Sequence, residues 1–210
     1  MPWLVSSGYN VLKQEQAQSC GYCCIGMVAN LIDDRKDSES SLVATGRQIG
    51  GIQSYDRATK DRVGMQRTML VDAEEELGGA LPHWGSGTYS DHLAKVLCEG
   101  FRINAKAYDS QGSGAMKGAM RGVSANQYMI ALVSWTAGGG HWVVVTQRAK
   151  RGLGSASDYT VLDPGDGATT TNRGSTEYTS PNGSKGTFAG AYVLVNGRMA
   201  SKTTDRVKVF

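Results

Sequence analysis

Residues 14–32, QEQAQSCGYCCIGMVANLI, put three cysteines within five positions at the head of a mostly apolar run. From Gly21 to Ile32 that run carries Cys23, Cys24, Ile25, Met27, Val28, Ala29, Leu31 and Ile32. Apolar side chains at almost every angle around a helix describe a rod enclosed on all sides, not a surface helix with one wet face. The spacing predicts a buried central helix that begins at Cys20. A cysteine there lies at the positive end of the helix dipole, among backbone N–H groups that lack helical partners, and both effects favour the thiolate. Gly21 beside it permits close backbone approach.

Outward from this helix, residues 33–66 are polar and weakly periodic, and read as loop and short helix. MQRTMLVDAEEEL (65–77) fits a helix stopped by Gly78 and Gly79. SDHLAKVLCEG (90–100) fits another, with Ser90 as N-cap and Gly100 just past its end. From Phe101 the pattern turns to strands: FRINAKAYD, QYMIALVSW, HWVVVTQ, YTVLDP and AYVLVNG are rich in β-branched and aromatic residues, with glycine-rich turns between them. The stretch GDGATTTNRGSTEYTSPNGSKG (165–186) reads as a long exposed loop or an irregular hairpin. Helices followed by strands predict an α+β fold, a central helix packed on an antiparallel sheet, with residues 1–210 forming a single domain.

The totals narrow the function. With 210 residues, 40% hydrophobic and 20% charged, the composition is that of a soluble globular protein. A net charge of +3 and short, interrupted basic runs (KDRVGMQR, RAKRGLG) give no footprint for nucleic acid. No stretch approaches the roughly 20 apolar residues of a membrane helix. The opening MPWLVSSGYNVLKQ lacks the basic start and apolar run of a signal peptide. We therefore expect a cytoplasmic protein, or one delivered to a target cell by a route that needs no cleavable signal. Four cysteines, three of them crowded together, make a poor disulfide framework and read as reduced thiols.

A thiolate that attacks a carbonyl needs a proton acceptor, a group to orient that acceptor, and donors for the oxyanion that forms. The chain has His83, His92 and His141. His83 and His92 read as surface residues. His141, in GGGHWVVVTQ, stands where a glycine turn enters a strand; Trp142 alternates with it and should point into the core. If HWVVVTQ and YTVLDP pair about Gly152, His141 lies opposite Asp163, and directly opposed Cβ atoms are about 4.5–5.5 Å apart. Three other readings compete for the cysteines. Cys20 and Cys23 have the spacing of a thioredoxin-type redox pair, but no βαβ unit frames them. A zinc site would need further ligands with paired spacing. Cys23, Cys24 and Cys98 read as small core hydrophobes.

Gln14, the run Ser19-Cys20-Gly21-Tyr22-Cys23-Cys24-Ile25-Gly26-Met27-Val28, the run Gly140-His141-Trp142-Val143-Val144-Val145, and Leu162-Asp163-Pro164 together resemble a known domain. It is the papain-like cysteine peptidase domain that trims double-glycine leader peptides in bacteriocin-exporting ABC transporters. GTYSDHLAKVLCEG and QYMIALVSWTAGGG are similar to that family's helix and to the strand before its histidine, so the resemblance covers most of residues 14–164. It implies a papain-like fold with Cys20 as nucleophile, His141 as general base and then acid, Asp163 as the orienting residue and Gln14 as an oxyanion donor. The family's glutamine precedes its nucleophile by six positions. Gln14 satisfies this for Cys20, whereas Cys23 would need Ala17; Cys24 would have Gln18 but lies within the helix. Two departures stand out: Ser19 occupies a position where the family usually has an acidic residue, and no transporter domain follows.

The resemblance implies a cysteine endopeptidase acting on a protein or peptide, with small residues such as glycine at the cut, used as a stand-alone bacterial effector or toxin. It implies no cofactor and no metal, and a cognate inhibitor or immunity protein as partner. Gly21, Gly140, Trp84 and Tyr89 are the expected substrate contacts. The same triad would serve a cell-wall peptide amidase or a protein deamidase or acyl transferase, and a silent peptide-binding module could keep the fold without the chemistry. Gly50-Gly51 and Gly78-Gly79 resemble the family's cleavage signal, which raises self-cleavage against the plainer role of a helix C-cap.

Overall fold

The apolar run forms helix α1 (Cys20–Asp33), whose first 11 of 14 residues are buried. The computed structural model describes residues 3–16, 19–60, 88–147 and 158–200. A helix this short is marginal alone. Ile25, Met27 and Val28 are fully buried and contribute roughly 1.5–3 kcal/mol each, so docking rather than propensity holds α1. It ends at Asp34, which adopts the left-handed conformation (φ 56°) and returns its N–H to the Asn30 carbonyl.

The architecture is α+β. Seven strands, β3 (Ile103–Gln111), β4 (Tyr128–Trp135), β5 (Gly140–Gln147), β6 (Tyr159–Asp163), β7 (Ala168–Asn172), β8 (Glu177–Thr179) and β9 (Lys185–Arg198), form an antiparallel sheet. Its order is β3-β9-β4-β5-β6-β7, with β8 paired to β9. Alternation along these strands divides the interior in two. Ile130, Trp142, Val144, Leu162 and Val193 pack with α1 on one face, and Ala131, Val133, Val143, Val145, Val161, Tyr178 and Phe188 make a second cluster on the other. Helices α2 (Glu39–Lys60) and α3 (Ser90–Phe101) pack beside α1. Helix α4 (Ser113–Gly122) covers β3 and β9 from the second face through Met116 and Met120. A hairpin of β1 (Trp3–Ser6) and β2 (Tyr9–Leu12) leads into the loop before α1.

Several details depart from the sequence reading. The polar segment after α1 is the 22-residue helix α2 rather than loop with short helix, because Leu42 and Val43 suffice to anchor it against the core. Ser90 is the first residue of α3, with Tyr89 as N-cap, and the helix continues through Gly100 to Phe101. Its buried stripe includes Phe101, so Arg102 makes the turn instead, at φ 55°. The glycine-rich stretch 165–186 holds a hairpin, β8 turning through residues 180–184 into the start of β9, and also the strand β7, which pairs back onto β6. Helices do not simply precede strands, since β1 and β2 come first and α4 lies between β3 and β4. Gly50-Gly51 lies inside α2. The segment 65–77, Gly78-Gly79, His83 and Trp84 lie outside the described residues.

Candidate active site

Cys20 is the first residue of α1 and is 5% exposed. Ser19, the N-cap, makes no side-chain capping bond to the first-turn N–H groups. Its hydroxyl turns away, its one hydrogen shared between the Gln16 carbonyl at 2.9 Å and the Glu39 carboxylate. The first-turn N–H groups around Cys20 are therefore left without a side-chain cap. Cys23 and Cys24 follow one turn later, fully buried as the apolar pattern required. Burial pushes both thiols up, aided for Cys23 by the Glu39 charge and for Cys24 by its neighbouring cysteines. Neither is a ready thiolate. Cys98 is only half-buried, with its sulfur on the Ala105 carbonyl at 3.5 Å, because α3 turns that edge toward the surface.

His141 is the second residue of β5 and is 7% exposed. Its Nε2 meets Asp163 Oδ1 at 2.7 Å. The Cys20 side chain also acts on the ring, favouring its charged form. Burial opposes charge on this ring, but the hydrogen bond to Asp163 and the nearby Cys20 side chain outweigh it and push the pKa up to about 10. Burial likewise works against the Asp163 carboxylate. Hydrogen bonds from His141, Tyr178 and the Gly165 N–H reverse that and hold it below its ordinary value.

The strands do not pair about Gly152. Val144 faces Leu162 and Val145 faces Val161, a register two residues away from the one expected. A slip of two keeps every side chain on its own face, so Asp163 still shares a face with His141 and reaches it diagonally. The position the register carries toward His141 is Gly165. A Cβ there would lie 3.1 Å from Asp163 Oδ1 and 3.3 Å from His141 Cε1, so only glycine leaves the pair undisturbed.

Three groups that the sequence reading passed over complete the site. Tyr178 on β8 is buried and donates from its hydroxyl to Asp163 Oδ2 at 2.6 Å. The indole of Trp135 stacks on the His141 ring, centroids 5.5 Å apart at 22°. It is held by the turn 136–139, in which Gly138 and Gly139 adopt φ 96° and 87° and the Trp135 N–H reaches the Gly139 carbonyl. An open groove of about 470 Å³ runs along Trp135, with Lys185 among its lining. Glu39 is the first residue of α2, and its buried carboxylate accepts from the N–H groups of Glu15 and Gln16 at 2.8 and 3.1 Å, as well as from Ser19. A signal existed for Trp135 alone: it follows Val133 by two, so it shares the face of His141. Tyr178 and Glu39 lie in polar stretches without periodicity.

Gln14 is tied to the end of β6, its backbone N–H donating to the Pro164 carbonyl at 2.9 Å. Its side-chain Nε2 donates to the Gln16 carbonyl at 3.2 Å. Of the expected substrate contacts, Gly140 is exposed at the mouth of β5 and Tyr89 half-buried at the start of α3. Gly21 is closed off: a Cβ there would lie 2.9 Å from Thr88 Cβ and 3.0 Å from Leu93 Cδ2, so the close approach it permits is to the chain itself. His92 is a core histidine rather than a surface one, its Nε2 3.0 Å from the Tyr22 hydroxyl. Trp142 packs in the core and donates to the Thr88 carbonyl at 2.8 Å. Among the described residues no three His, Cys, Asp or Glu side chains are grouped as metal ligands, and no helix is long and apolar enough to cross a membrane.

No protein-family model and no curated protein matches the chain.

Proposed function

We propose that this protein is a papain-like cysteine peptidase. The observation that carries the reading is the 2.7 Å bond between His141 Nε2 and Asp163 Oδ1, with Cys20 acting on the same ring, the sulfur at the start of a central helix and the imidazole at the start of a strand. The raised basicity of His141 favours transfer of the thiol proton to the ring, leaving a thiolate beside an imidazolium. That thiolate attacks a peptide carbonyl; the Gln14 side-chain amide and the Cys20 N–H stabilise the oxyanion. His141 protonates the departing amine, then takes a proton from the water that releases the acyl-enzyme. Asp163 keeps the ring in one tautomer throughout. Small residues at the cut and action as a bacterial effector belong to the same proposal.

The test is to express wild type and Cys20→Ala in a bacterium, compare growth, and identify new protein N-termini. Wild type should generate termini that the variant does not. Identical sets of termini would sink the peptidase reading. Iodoacetamide near neutral pH should label Cys20 far faster than Cys23 or Cys24.

A further inference from the structure

Resting on the peptidase reading, we propose that Glu39 is a positioning residue for oxyanion stabilisation, acting from α2 on the loop that carries Gln14. The carboxylate is 2% exposed and gathers three donors that precede the nucleophile in sequence: the N–H groups of Glu15 and Gln16 and the Ser19 hydroxyl. An acceptor with two oxygens suits this set, since one oxygen takes Glu15 while the other takes Gln16 and Ser19. The consequence passes through a single peptide. Gln16 is held by its N–H on Glu39, and the Gln16 carbonyl in turn receives Gln14 Nε2 at 3.2 Å and the Ser19 hydroxyl at 2.9 Å. The other end of the loop is fixed by the Gln14 N–H on Pro164, next to Asp163. Gln14 is thus held by its backbone on Pro164 and by its side-chain amide on Gln16. One of its two Nε2 hydrogens goes to Gln16, leaving the second for an oxyanion. Ser19 is drawn off the helix by the same carboxylate, which keeps its hydroxyl away from the first-turn N–H groups. A buried acid delivered from a neighbouring helix thereby acts on the residue that stands immediately before Cys20.

Two reagents separate this role from a structural one. Iodoacetamide is attacked at its methylene carbon: the carbon–sulfur bond forms, iodide leaves, and no charge develops on an oxygen. p-Nitrophenyl acetate is attacked at its carbonyl: an oxyanion forms, then the carbon–oxygen bond breaks, p-nitrophenolate leaves and Cys20 is acetylated. Glu39→Gln places an amide hydrogen against a donor and loosens the loop. It should slow acetylation by about 10-fold or more while alkylation stays within about twofold of wild type, a loss of the kind seen when an oxyanion donor is misplaced. Because Glu39 acts through Gln14, the double variant with Gln14→Ala should acetylate no more slowly than Gln14→Ala alone. Ser19→Ala removes one of the three contacts and should give the same selective loss in smaller measure; it serves if Glu39→Gln does not fold, as checked by thermal melting. Equal losses in both reactions, an unchanged acetylation rate, or multiplying losses in the double variant would overturn the role of Glu39 alone. If wild type releases no more p-nitrophenolate than Cys20→Ala, the peptidase reading falls as well.

Discussion

His141 and Asp163 meet on the diagonal: the register of β5 and β6 sets Val144 against Leu162, yet His141 Nε2 lies 2.7 Å from Asp163 Oδ1. The contact is short because the strands part at this end and the loop after Asp163 has no side chain at Gly165 to fill the gap.

The pair makes pH dependence two-sided. His141 has an ordinary value of 6.5 and is raised to about 10 in the fold. Its contribution to stability is therefore complete below about pH 6.5 and is lost as pH climbs toward 10. Asp163 is depressed below 3.8, so its contribution holds above that value and disappears as acid protonates it. In Asp163→Asn the imidazolium loses its counter-charge. The alkaline limb of kcat/KM should move down by about one unit or more, and kcat should fall roughly 10²- to 10⁴-fold. Melting temperatures of wild type and variant should converge as pH rises toward 10; parallel curves would contradict the coupling.

Tyr178→Phe strips one donor from a buried carboxylate. Burial, together with the Asp163 charge, pushes the Tyr178 hydroxyl far above its usual range, so it donates throughout the working pH range. Losing it should cost about 1–3 kcal/mol in urea unfolding and raise the Asp163 pKa, shifting the acid loss of stability to higher pH. An unchanged acid limb would exclude Tyr178 from the site.

Trp135→Ala removes the indole that covers one face of the His141 ring. The ring then loses the aromatic face that fixes its plane beside Asp163. We expect kcat to drop about tenfold. Trp135→Phe should restore most of it.

Gly165→Ala tests the gap itself. Its Cβ would press on Asp163 and His141 at 3.1 and 3.3 Å, so activity should fall about tenfold or more, a misplacement effect, with Cys20 still labelled by iodoacetamide. Wild-type activity in this variant would show that the loop can yield.

The central helix, the position of Cys20 at its head and the presence of the main strands were legible in the chain, because a rod apolar on all sides and period-two runs each leave a one-dimensional trace. The burial of Cys23, Cys24 and Trp142 followed from the same periodicities. Helix α4 left too little trace, its buried face being two methionines one turn apart in a glycine-containing segment. The register of β5 and β6, the hydrogen bond from Tyr178 and the grip of Glu39 on residues 15–19 depend on where distant segments come to rest, whereas the face shared by Trp135 and His141 was within reach of the alternation. Local sequence determined which residues repeat on a face; only the three-dimensional packing decided which faces meet, since contacts such as Tyr178–Asp163 and Glu39–Ser19 join elements with no shared period between them.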